Sequence, residues 1–140
     1  MTLSSAGFLT VSAGMVGNVG AGVLSGSDTD LTFDWATGNY HEATLNSAAI
    51  DLIKFTNVTV GQRVIVRIQN DDSAARTVSW SATQSGLTTS VATSKINWAG
   101  GIVPVATAGV DKADVYGFIC RTATKFDGFI IGQNLANTNP

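Results

Sequence analysis

Three tryptophans, Trp35, Trp80 and Trp98, are the side chains of this chain best suited to binding chemistry, because an exposed indole can stack on a sugar ring. Trp35 and Trp80 fall on the apolar positions of alternating, strand-like runs, and that spacing predicts core residues instead of a platform. Burying each such side chain contributes about 1.5–3 kcal/mol. Trp98 stands in a turn beside Gly100 and Gly101. Glycine lets the backbone take a tight path there, and the indole is expected to plug it.

The other chemistry-bearing residues are isolated. His41 is the only histidine and has no nucleophile in a recognisable motif. Cys120, the only cysteine, sits in an apolar strand pattern and reads as an inert buried thiol. A lone histidine and a lone cysteine do not make a zinc cluster, and no internal disulfide is possible. Asp28, Asp30 and Asp34 are spaced closely enough to suggest calcium, but the twelve-residue loop with its closing glutamate is absent. Asp34 is expected to cap a turn, and Asp71-Asp72 to occupy a solvated one. Gly17-x-x-Gly20-x-Gly22 has glycines without the order, the preceding strand or the following Lys-Ser/Thr of a phosphate loop. Asn57-Val58-Thr59 is a glycosylation sequon, but no basic residue precedes Lys54, so the start of the sequence lacks the pattern of a secretory signal. The residues therefore predict no enzyme, no cofactor and no metal.

Composition points the same way. The chain has 140 residues, the size of one domain. Its charged fraction is 13%, about half the usual value, with Thr, Ser, Asn and Gly in place of charge. That mixture favours strands and turns over helices. The net charge is −2, with five acidic residues and no basic one before Lys54. No basic run suggests nucleic acid, and no run of 18 apolar residues suggests a membrane span. Folding in a reducing cytosol is the expectation.

The elements that would position these residues follow from hydrophobic periodicity. Residues 1–30 are rich in Gly, Ala, Ser and Val, and five glycines between Gly14 and Gly26 disfavour a helix by about 1 kcal/mol each. They predict an extended arm whose apolar groups, Phe8, Leu9, Val11, Met15 and Val16, order against a partner. From Leu31 a period of two sets in. Strands are expected over 31–36, 40–46, 50–55, 62–70, 76–81, 102–106, 113–121 and 125–132, with a Ser/Thr-rich loop from Ala82 to Lys95. Pro104 places the short 102–106 strand at an edge. The inward set includes Phe33, Trp35, Val64, Val66, Ile68, Val78 and Trp80. The fold class predicted is all-β: an antiparallel β-sandwich, jelly-roll-like, of about eight short strands over 31–135, preceded by the arm and followed by a polar tail at 136–140.

The ordered set Leu31-x-Phe33-Asp34-Trp35-x-x-Gly38-Asn39, Gly61-x-x-Val64, Arg76-Thr77-Val78-Ser79-Trp80, Trp98-x-Gly100-Gly101-x-x-Pro104, Asp114-Val115-Tyr116-x-Phe118, Phe126-Asp127-Gly128 and Gly132-Gln133-Asn134-Leu135 resembles a β-sandwich module of tailed-bacteriophage virions, found in head-decoration and tail-fibre proteins. It departs from the pattern in a longer 81–96 segment and in Leu135 where an aromatic is usual. The resemblance implies a structural virion protein. With the module filling nearly the whole sequence, a decoration or cement protein of the head is expected, binding the major capsid protein or other virion proteins and self-associating as a trimer. The alternative it implies is a fibre or knob module that binds the host surface, glycans included, through the Ala82–Lys95 loop.

Overall fold

In a computed structural model, residues 2–3, 9–10, 19–25, 30–45, 52–70, 78, 86–87 and 95–136 are described. Eleven strands occur among them: β1 (Thr2–Leu3), β2 (Leu9–Thr10), β3 (Val19–Ser25), β4 (Asp30–Asp34), β5 (Tyr40–Leu45), β6 (Leu52–Thr56), β7 (Arg63–Asn70), β8 (Gly86–Leu87), β9 (Lys95–Trp98), β10 (Lys112–Thr122) and β11 (Lys125–Ala136). β1 and β2 form a two-stranded antiparallel pair. The other nine run in the order β8-β6-β4-β3-β5-β7-β10-β11-β9.

That ladder folds into two layers at β3. The first half of β3 pairs with β5, Val19 opposite Tyr40, and the second half pairs with β4, Gly22 opposite Phe33. One layer is therefore β3-β4-β6-β8 and the other β3-β5-β7-β10-β11-β9. The all-β sandwich matches the periodicity.

Three expectations are corrected. The ladders are mixed and not antiparallel, because β4–β6, β6–β8, β3–β5, β5–β7 and β9–β11 all run parallel. Parallel neighbours need a long return, commonly a helix. Here the return from β4 to β6 is a strand of the opposite layer, β5, and the return from β5 to β7 is β6, so between β4 and β7 the chain crosses the sandwich at each connection and needs no helix. Second, Val19–Ser25, expected within the arm, is the corner strand, so the sheet begins before Leu31. Third, 102–106 is irregular, and the edge strands are instead Lys95–Trp98, expected to be loop and turn, and Gly86–Leu87, expected within the 82–95 loop; of the expected 76–81 strand only Val78 lies among the described residues. Left-handed Gly100 (φ 68°) and Gly101 (φ 72°) turn the chain off the sheet after Trp98, ahead of Pro104.

The core lies between the layers. Phe33, Trp35, Ile53 and Phe55 face Val64, Val66, Tyr116, Phe118, Cys120 and Phe126, all at most 2% exposed. Ile68, Val78 and Trp98 are buried at its margin. Phe55 is the hub, with ring centroids 5.1 Å from Trp35, 4.9 Å from Phe118 and 5.3 Å from Phe126. These tilted and edge-on arrangements suit the ring quadrupole, each adding about 0.5–1.5 kcal/mol beyond area burial. Gly128 on β11 leaves the space that Trp98 occupies, since a Cβ there would lie 2.7 Å from the indole.

Candidate functional site

The outward face of the larger layer carries an organised apolar band. Along β7, Arg63, Ile65, Arg67 and Gln69 point away from the core that Val64, Val66 and Ile68 fill. Registers align these residues across four strands. One row reads Tyr40, Ile65, Gly117, Phe129 on β5, β7, β10 and β11. The row on one side reads Arg63, Ile119, Asp127, and on the other Glu42, Arg67, Val115, Gly132. An apolar row is thus flanked by rows bearing charge.

Gly117 makes this row concave. The missing side chain opens a groove of about 400 Å³ walled by Ile65, Ile119, Phe129 and Ile131, with Asn39 and Arg63 at one end. A Cβ at Gly117 would meet only the side chain of Ile131, its tip at 3.2 Å, and this exposed tip would have to give by a few tenths of an ångström. Ile65, Phe129 and Ile131 are 40%, 42% and 56% exposed. Tyr40 closes the far end of the row, its hydroxyl donating to Glu42 at 2.6 Å; burial and that carboxylate push its pKa up to about 12.

A second apolar surface adjoins the first. The irregular segment 102–109 lies along β11, where Gln133 donates to the Val105 carbonyl, and turns Ile102 and Val105 outward, Ile102 near exposed Ile130. A hollow of about 200 Å³ separates Ile102 from Phe129 and Ile130. A buried polar network pins the segment. Asp114 accepts from the Thr107 amide at 2.7 Å, the Tyr116 hydroxyl at 2.9 Å and the amide of left-handed Asn134 at 2.9 Å. Asn70 Nδ2 donates to the carbonyls of Thr107 and Gly109, and Gln133 Nε2 to that of Val105. Burial alone raises the Asp114 pKa, but the hydrogen bonds from Thr107, Asn134 and Tyr116 outweigh it and hold the carboxyl below its ordinary value. Asp114 is therefore an anionic clamp.

The residues singled out by sequence are dispersed. Trp35 and Trp98 are core residues, while Trp80 lies outside the described residues. His41 is buried on β5, its Nε2 donating to the Gly38 carbonyl at 3.0 Å and its Nδ1 unpaired. It occupies the space a Cβ on Gly20 would need, which explains that glycine structurally. Cys120 is buried, its thiol 3.3 Å from the Thr122 carbonyl and its pKa raised by burial. Asp34 caps its turn by accepting from the Ala36 amide and Asn57 Nδ2. Of the arm residues, Phe8, Val11, Met15 and Val16 lie outside the described residues, and Leu9 is placed by its backbone pairing with Leu3. Among the described residues no group of three or more His, Cys, Asp or Glu side chains could hold a metal.

Asp114 and Asn134 stand in the sequence only as members of the resemblance motifs, with no role attached, and no motif marks Gly117 or the exposed face of β11. One signal was present: Phe129, Ile130 and Ile131 are successive apolar residues where a half-buried strand should alternate. Comparison of the chain with family models, curated proteins and solved structures finds no match in any of the three.

Proposed function

We propose that the chain is a structural, non-catalytic protein that docks on a larger assembly, and that this assembly is the head of a tailed phage, as the resemblance implies. One observation carries the docking part. Of the ten large hydrophobic residues exposed among the described residues, eight lie in 102–135, on the 102–110 segment and β11. Single exposed hydrophobic residues need no explanation, but a rimmed cluster marks a surface to be covered. The Asp114 network holds part of that flank in fixed geometry, so little ordering entropy opposes contact. Repeated shell sites bound at once give avidity from weak contacts. Arm residues 1–18 are proposed to add a second point of attachment.

The test is co-sedimentation of the chain with purified undecorated phage heads. The doubly substituted Ile102→Asp/Val105→Asp chain is expected to keep its circular dichroism and lose attachment. Equal attachment by both chains overturns the docking flank. Binding to host cells or glycans without binding to heads supports the fibre-type alternative instead.

A further inference from the structure

We infer that the outer face of the larger layer, centred on Gly117, is a self-complementary contact with a second copy of this chain. The inference rests on the reading of this flank as a surface covered in an assembly, and it names one of the coverings.

The geometry follows from register. Phe129 and Gly117 are directly opposite on neighbouring strands, so a projecting ring and a hollow lie side by side in one row. A second copy can be turned over by a twofold axis running along the strands, midway between β10 and β11. Each Phe129 then sits over the other copy's Gly117, since the axis exchanges the two strands and keeps the row. One rotation fills both hollows, as an isologous contact requires.

Charge agrees with the same rotation. Arg63 is exposed, in the row that holds Asp127. The axis carries the second copy's Arg63 to one strand beyond Asp127, within reach of a guanidinium side chain. Within its own chain Asp127 has Arg121 at 3.4 Å and Asn97 Nδ2 at 3.3 Å, both long contacts on the surface. The paired face thus offers an apolar centre and reciprocal opposite charges at its rim.

The size of the face sets the strength. The strands that overlap under this rotation are β7, β10, β11 and β9. Four strands about 4.8 Å apart and a similar length along them give a footprint of roughly 400 Å² per copy. That is about half the standard interface per partner. The pair is therefore weak and concentration-dependent, of use where copies are crowded on a surface. Its twofold symmetry departs from the threefold association that the resemblance implies.

Sedimentation of the full chain from micromolar to millimolar concentration tests the inference. A reversible monomer–dimer equilibrium is expected. Phe129→Ser, and Gly117→Val, which fills the hollow, should each weaken it about tenfold with circular dichroism unchanged. Arg63→Asp and Asp127→Arg should each weaken it by a similar factor, and the chain carrying both should recover pairing, because the charges are again opposite across the contact. A monomer at every concentration overturns the inference, as does a trimer, a dimer indifferent to Phe129→Ser and Gly117→Val, or a double charge reversal without recovery. Attachment to heads is measured separately, so failure of pairing with attachment intact removes this inference and leaves the docking proposal standing.

Discussion

The ring of Phe55 on β6 meets that of Phe118 on β10 with centroids 4.9 Å apart, joining the two layers near the centre of the sandwich. Phe55 also touches Phe33, Trp35 and Phe126, so one side chain from the smaller layer ties into aromatics on β4, β10 and β11 and the turn after β4. Phe55→Ala is expected to destabilise the fold by about 3–5 kcal/mol, the range for a truncated core aromatic. Urea denaturation followed by tryptophan fluorescence measures it. A loss below about 1 kcal/mol would mean that the layers are not packed through this residue.

Two glycines on neighbouring strands should respond differently to alanine. At Gly128 the added Cβ lies 2.7 Å from both Ile96 and the Trp98 ring, inside the core. Gly128→Ala should cost about 1–3 kcal/mol through overpacking. At Gly117 the added Cβ meets only the movable tip of Ile131 on the open face. Gly117→Ala should leave thermal stability nearly unchanged. Paired melting curves of the two variants check the contrast, and similar losses for both would contradict the assignment of faces.

Acid stability should fall in two stages. Burial holds the His41 pKa below the ordinary 6.5, against the opposing effects of the Gly38 carbonyl and the Asp34 charge. Between its folded pKa and 6.5 the unfolded chain binds a proton that the folded chain does not. Stability from this group is thus complete above about pH 6.5 and declines below it. Asp114 is held below its ordinary 3.8, so its contribution is complete above that pH and is lost as the pH falls through the folded pKa. Denaturation midpoints against pH measure both stages. His41→Gln should flatten the first and leave the second, and an unchanged profile would rule out His41 as its source.

Asp114→Asn replaces a carboxylate that accepts from two backbone amides and a tyrosine hydroxyl. The variant is expected to lose about 1–3 kcal/mol, the cost of buried hydrogen bonds left imperfect. The effect should be local, with faster amide exchange at Thr107 and Asn134 and earlier proteolysis within 102–110. Exchange rising uniformly over the whole sandwich would contradict a clamp on this segment.

These tests separate what the sequence displays from what it conceals. Val64, Val66 and Ile68 alternate with Arg63, Arg67 and Gln69, and the inward set was legible because a strand buried on one face has a period of two. The same period serves parallel and antiparallel neighbours, so the crossing path through β4, β5, β6 and β7 left no local mark. Val19–Ser25 was concealed by Gly20 and Gly22, which count against a strand until His41 is seen in the space beside Gly20. The Asp114 network joins residues from β7, the 102–110 segment and β11, and no short motif brackets such a set. The run Phe129-Ile130-Ile131 was visible as a break in alternation, but only the groove that Phe129 and Ile131 line together with Ile65 and Gly117 shows that two of its side chains belong to one outward face.

The most direct measurement of the docking proposal is an electron cryomicroscopy map of phage heads decorated with this chain. The account predicts that Ile102, Val105 and the outer edge of β11 face the shell, in density contacting capsid subunits. A map in which that flank faces solvent while another surface holds the shell, or in which the chain is found only on a tail appendage, would contradict it.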